Sequence, residues 1–149
     1  MIMKKQQDER NLSMVMDLYE MTMSNGYYKE GNIDTNVVFD VFYRRNPDAG
    51  GFAIFAGLAQ IVEYIENLHF AEEDIEFLRS KNIYSDEFLK YLSEFKFKGD
   101  IYALPEGTVM YPDEPVLTVV APLIDAQLIE TAILLERSEE HTSELQSLA

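Results

Sequence analysis

The sequence predicts an α+β domain, and three observations carry that class. Helical stripes dominate the first two thirds and leave room for one early strand. A cluster of short strand candidates, cut by prolines, follows Phe95. Helical character then returns over residues 123–136. With 149 residues, 47% of them apolar and 26% charged, the chain is long enough for one ordinary domain.

Residues 1–13 are polar and read as a flexible N-terminus. The first helix is expected over residues 18–29. Asp17 followed three residues later by Glu20 has the spacing of a capping box, with Asp17 as N-cap and Glu20 reaching back. Met16 and Met21 stand at the positions of a hydrophobic staple, and Gly31 ends the helix. Leu18, Tyr19, Met21, Met23, Tyr27 and Tyr28 leave it no wide polar face, so it needs cover on several sides. Residues 37–43, VVFDVFY, form the early strand; their near-continuous apolarity suggests cover on both faces. Arg44 and Arg45 end that strand, and residues 46–51, NPDAGG, form a turn.

A second helix is expected over residues 53–68. Ile54, Leu58, Ile61, Val62, Ile65 and Leu68 make its apolar stripe. A third, over residues 72–81, carries three acids in its first turn, which suits the helix dipole. Ser85 caps a fourth, with Phe88, Leu89, Leu92 and Phe95 facing inward. Strand candidates at residues 101–104, 107–111 and 116–120 alternate with Pro105, Pro112, Pro115 and Pro122. That texture suggests a small barrel or sandwich with sharp corners.

The net charge is −15, with 27 acidic against 12 basic residues. No basic field attracts phosphates, which argues against non-specific binding to nucleic acid or to an acidic membrane. The absence of cysteine removes disulfide and thiolate-metal chemistry. His69 and His141 lack metal-ligand spacing, and no metal site is expected. The N-terminus has no apolar stretch after its lysines, and no apolar run approaches the roughly 20 residues of a membrane span. These features point to a cytoplasmic chain.

The bland readings of the polar features are strong. Asp17 is a cap, and Tyr19 on an apolar helix is a core aromatic. Arg44 and Arg45 are either a solvated strand end or a guanidinium pair able to hold phosphate; charge alone does not choose. Gly50-Gly51 lacks the GK[ST] of a phosphate loop and reads as a turn. Asp113 and Glu114, flanked by prolines, are turn chemistry.

Four stretches taken together resemble the N-terminal part of the nicotinate phosphoribosyltransferase family. They are MDLYEMTMSNGYYKEG, VFDVFYRRNPDAGGFAIFAGL, FKGDIYALPEGTVMYPDEPVLTV and APLIDAQLIETAIL, in the family's order and spacing. The resemblance spans about residues 14–134; the family's usual Thr before the Asp is Met16 here. It implies the N-terminal α+β domain, residues 14–122, of a two-domain type II phosphoribosyltransferase. Residues 123–136 would be the first helix leading to an α/β barrel domain missing from this chain. The complete enzyme would form nicotinate mononucleotide from nicotinate and phosphoribosyl pyrophosphate, with ATP hydrolysis and Mg²⁺, in NAD salvage. It implies substrate binding by Tyr19, stacked on the pyridine ring across a homodimer interface, aided by Asp17. Arg44 or Arg45 would reach the phosphoribosyl pyrophosphate site of the neighbouring subunit. No catalytic residue, ATP or Mg²⁺ is expected on this chain alone, which is expected to be inactive. Other readings are a non-enzymatic dimerisation module and a quinolinate- or nicotinamide-using relative.

Residues 137–147, RSEEHTSELQS, resemble the translation of a common short-read sequencing adapter. The 137–149 tail is therefore expected to be artefactual, with His141 carrying no function and the parent protein continuing past Glu136. An ordinary polar C-terminal helix would suit the same composition.

Overall fold

A computed structural model describes residues 11–46, 50–136 and 145–148. In chain order the elements are α1 (Leu18–Glu30), β1 (Asn36–Val41), β2 (Ala53–Ile54), α2 (Leu58–Asn67), α3 (Glu72–Ser80) and α4 (Asp86–Ser93). They continue with β3 (Asp100–Ala103), β4 (Val109–Met110), β5 (Leu117–Pro122), α5 (Leu123–Glu136) and β6 (Leu145–Leu148). The class is α+β. The strands do not close into a barrel: they form one sheet in the order β3-β5-β1-β6 and a separate ribbon, β2-β4.

The centre of the sheet is the antiparallel pair of β1 and β5, in register from Asn36 opposite Pro122 to Val41 opposite Leu117. Burial alternates along both strands. Phe39 and Val41 on one, and Leu117, Val119 and Ala121 on the other, face the core. β1 is shorter than its apolar run, and it is not covered on both faces, since Val38 remains exposed. On that outer face Thr118 Oγ1 donates to Asp40 Oδ1 at 2.6 Å. Gly99 lets β3 approach β5 closely. A Cβ there would stand 2.5 Å from the Ala121 Cβ and 2.9 Å from the Val120 carbonyl oxygen.

The long second helix is divided. Ala53 and Ile54 pair with Met110 and Val109 as a ribbon, and the chain turns at Gly57, whose φ is 96°, before α2 begins. Only glycine adopts that conformation without strain, and it overrides the continuous apolar stripe. Ile54 and Val62, both expected to face inward, are exposed as a result, whereas Ile61 and Leu68 are buried. The start of α2 is capped from outside: Glu106 Oε1 accepts the N–H groups of Gly57 at 3.0 Å and Ala59 at 3.2 Å. Ser85 caps α4 as expected, accepting from Phe88 N at 3.3 Å. Phe88, Leu89, Leu92 and Phe95 are all buried. Phe88 and Tyr91 stack with centroids 6.3 Å apart, and Tyr28 of α1 meets both rings.

α5 is the element the core is built on. Ile124, Leu128 and Ile129 have no exposed surface, and Asp125 is buried beside them. Asp125 accepts from Lys98 N at 2.8 Å and from the Tyr91 hydroxyl at 3.4 Å. Burial raises its pKa, against the pull of the Lys98 N–H. α1, α2, β1 and β5 pack against it. At its end Leu135 is exposed.

The expected tail falls in part outside the described residues, at 137–144 and 149. The backbone of residues 145–148 pairs antiparallel with β1, as a strand rather than a helix. Residues 1–10 of the expected flexible N-terminus also lie outside the described residues. At its end, Asn11 donates to the His69 carbonyl and to Asp74, and the buried Ser13 accepts from His69 N at 3.0 Å.

Candidate functional site

The first turn of α1 is held by α5. Asp17 occupies the N-cap position with extended backbone (φ −73°, ψ 144°), yet its side chain makes no capping hydrogen bond. The Asp17 half of the expected capping box is not formed; Glu20 turns into the protein, and its interaction with the Asp17 N–H is weaker than those with Thr131. Glu20 is fully buried, and its Oε1 accepts from Thr131 N at 2.9 Å and Thr131 Oγ1 at 2.7 Å. Asp17 N–H in turn donates to Thr131 Oγ1 at 3.4 Å. Tertiary partners have replaced the local cap. The end of α1 follows its glycine signal: Gly31 at φ 81° donates to the Tyr28 carbonyl and Asn32 to the Tyr27 carbonyl.

The sidedness of α1 is the reverse of an ordinary amphipathic helix. Glu20, Ser24 and Asn25 are buried together with Met21, whereas Leu18, Tyr19 and Met23 are exposed. Asn25 explains part of this. Its Oδ1 accepts from Ser85 N and its Nδ2 donates to the Ile83 carbonyl, tying α1 to the start of α4. Of the apolar residues that demanded cover, Met21 is buried and Tyr27 and Tyr28 pack against the core, whereas Leu18, Tyr19 and Met23 are left facing outward.

Tyr19 is 46% exposed, and its hydroxyl donates to Glu130 Oε1 at 3.2 Å. Gln127 Nε2 donates to the other oxygen, Glu130 Oε2, at 2.5 Å. Burial, then the charges of Glu130, Glu20 and Asp17, push the Tyr19 hydroxyl up to about 12, so it is a neutral donor. Burial pushes Glu20 up to about 7, opposed by the bonds from Thr131, and it raises Glu130 as well. Behind this turn Glu20 Oε2, Ser24 Oγ and Tyr64 OH are buried without a partner. Burial and the Glu20 charge push Tyr64 up to about 12.

Arg44 and Arg45 are carried elsewhere. They are exposed on a bend beyond the end of β1, not on the strand itself. The bend is anchored by the buried Tyr43, whose hydroxyl lies 2.8 Å from both the Met110 carbonyl and Asn46 Oδ1. The structure thus gathers Asp17 and Tyr19 into one turn and places the arginines on a different part of the frame. Sequence reasoning missed the α5 side of the site, Gln127, Glu130 and Thr131. The signal was present, because these polar residues recur at i, i+3 and i+4 in an otherwise apolar helix.

Among the described residues no group of three or more His, Asp or Glu side chains could hold a metal ion. No described helix is long and apolar enough to cross a membrane. An open groove lined by Leu58, Val62, Glu66 and Glu106 is carried by α2, not by the first turn of α1.

Residues 14–136 match the family model for the nicotinate phosphoribosyltransferase (NAPRTase) N-terminal domain. A nicotinate phosphoribosyltransferase of Mycobacterium tuberculosis is 43% identical over 122 residues, covering 82% of this chain and 26% of that protein. The nicotinate phosphoribosyltransferase of Bacillus subtilis is 40% identical over 124 residues, covering 83% and 25%. The crystal structure of human nicotinic acid phosphoribosyltransferase superposes with a TM-score of 0.76 at 34% identity, covering 83% of this chain and 25% of that one. The chain therefore spans about a quarter of the length of the curated relatives it matches.

Proposed function

The chain belongs to the nicotinate phosphoribosyltransferase N-terminal domain family, and from that premise we propose that it serves as the first domain of an enzyme joining nicotinate to phosphoribosyl pyrophosphate. The product would be nicotinate mononucleotide, in NAD salvage, with ATP hydrolysis supplied by the complete enzyme. The observation that carries this reading is Tyr19, a half-exposed ring at the start of α1, inside the matched region.

A flat pyridine ring is held well by offset stacking on such a ring, worth about 0.5–1.5 kcal/mol beyond area burial. Tyr19 is a neutral phenol tied at its hydroxyl, and about half of its surface is exposed. Asp17 shapes the turn through its backbone, since its side chain caps nothing. The complete site needs groups this chain does not gather: cations for the departing pyrophosphate, and donors for the nicotinate carboxylate. Arg44 and Arg45, exposed on their bend, fit the first need if they serve a neighbouring subunit. Mg²⁺ and ATP would be held by parts of the complete enzyme outside this chain. The exposed apolar side of α1 supports a homodimer in which Tyr19 completes the partner's site. A cytoplasmic location is part of the same proposal.

The test is a pair of assays. The purified chain should form no nicotinate mononucleotide. Residues 14–136 fused in frame to the remaining three quarters of the Bacillus subtilis enzyme should form it. Turnover by the isolated chain, or a folded but inactive fusion, would sink the reading. Nicotinamide or quinolinate turned over in preference to nicotinate would move the chain to a sister activity.

A further inference from the structure

The clamp between α1 and α5 holds the Tyr19 turn at three points. Thr131 takes the Asp17 N–H before Tyr19 and the Glu20 carboxyl after it, which fixes the backbone on both sides of the ring. What remains free is the Tyr19 side chain itself, and Glu130 removes that freedom by accepting from its hydroxyl. Glu130 is not free to wander, because Gln127, one turn earlier on α5, holds its other oxygen.

We propose that Glu130, braced by Gln127, is a positioning residue that sets the pose of the Tyr19 ring for stacking against a planar heterocycle. This rests on the reading of Tyr19 as the stacking residue. An exposed aromatic side chain left untethered samples several rotamers, and binding must then order it. A tether at the para-hydroxyl orders the ring beforehand while leaving both faces unobstructed by the bond itself. Burial first, then the charges of Glu130, Glu20 and Asp17, disfavours a phenolate, in keeping with a hydroxyl that donates to Glu130 Oε1. Tyr19 therefore donates and Glu130 accepts.

The first test needs only this chain, labelled with ¹³C at the tyrosine ζ-carbon. The Tyr19 signal is identified by its loss in Tyr19→Phe. In the unaltered chain it should titrate at about 12. In Glu130→Gln and Glu130→Ala it should fall below that value, the part of the rise due to burial, Glu20 and Asp17 remaining. A midpoint unmoved in both variants overturns the proposal. The second test uses the Bacillus subtilis fusion. Glu130→Ala should raise the nicotinate KM by about two- to tenfold, the cost of ordering one side chain, while the KM for phosphoribosyl pyrophosphate stays close to that of the parent. Glu130→Gln, which keeps an acceptor oxygen, should restore part of that loss. A raised nicotinate KM in Tyr19→Ala with none in Glu130→Ala overturns the positioning role alone. An unchanged nicotinate KM in Tyr19→Ala overturns the stacking reading, and the proposal with it.

Discussion

Glu20 shows how one residue can be right in position and wrong in partner. Its spacing from Asp17 is that of a capping box, but its carboxyl is fully buried against Thr131 with one oxygen unpaired. Burial raises its pKa from 4.5 to about 7. A carboxyl raised on folding binds its proton more tightly in the folded state. Its contribution is therefore complete below about pH 4.5 and is lost as pH rises through about 7. Asp125 and Glu130, also raised, act in the same direction. Glu20→Gln keeps an acceptor for Thr131 and carries no charge. It should stabilise the protein above neutral pH by about 2 kcal/mol and flatten much of the fall in stability across that window. Urea unfolding of both proteins at several pH values measures this; parallel pH profiles would refute it.

At the scale of elements, two glycines decide the layout. Gly57 separates β2 from α2, and Gly99 admits β3 against β5. Gly99→Ala would drive a Cβ to 2.5 Å from Ala121 and 2.9 Å from the Val120 carbonyl. Neither neighbour is a flexible side-chain end, so the strand must shift. We expect a loss of about 1–3 kcal/mol by overpacking, read as a lower urea midpoint with little change in slope. The start of α2 makes a second case. Glu106 caps it from the 105–107 turn, so Glu106→Ala should cost about 0.5–2 kcal/mol. Amide exchange at Gly57 and Ala59, whose N–H groups it holds, should quicken first. Uniform exchange across the chain would show that the cap is not local.

For the whole molecule the distribution of apolar surface matters most. α5 is covered almost throughout. Exposed apolar side chains occur on several elements, and one run of them lies on and before α1: Leu12, Val15, Leu18, Tyr19 and Met23. Clustered exposed apolar residues favour association. Sedimentation should show the chain self-associating with rising concentration. Leu18→Glu with Met23→Lys should make it monomeric at the same concentrations without lowering its unfolding midpoint by more than about 1 kcal/mol, as surface changes do. Association that survives both substitutions would place the contact elsewhere.

The α+β class, the approximate boundaries of α1, α3 and α5, the Ser85 cap that starts α4 and the Gly31 stop were all legible in the sequence. Each rests on local chemistry: periodicity, a hydroxyl before a helix, or a glycine where φ must be positive. Tyr19 was legible as a candidate through its motif. Three things came only from the tertiary structure. The apolar stripe across residues 53–68 broke at Gly57, because pairing with Val109 and Met110 took its first residues. Glu20 turned chiefly to the interior, because Thr131, 111 positions away, offers two donors there. The α5 half of the Tyr19 site was built by α1 lying against α5. Propensity and capping act within a few residues of chain, so sequence exposes them; which buried donor meets which acceptor depends on packing between distant segments.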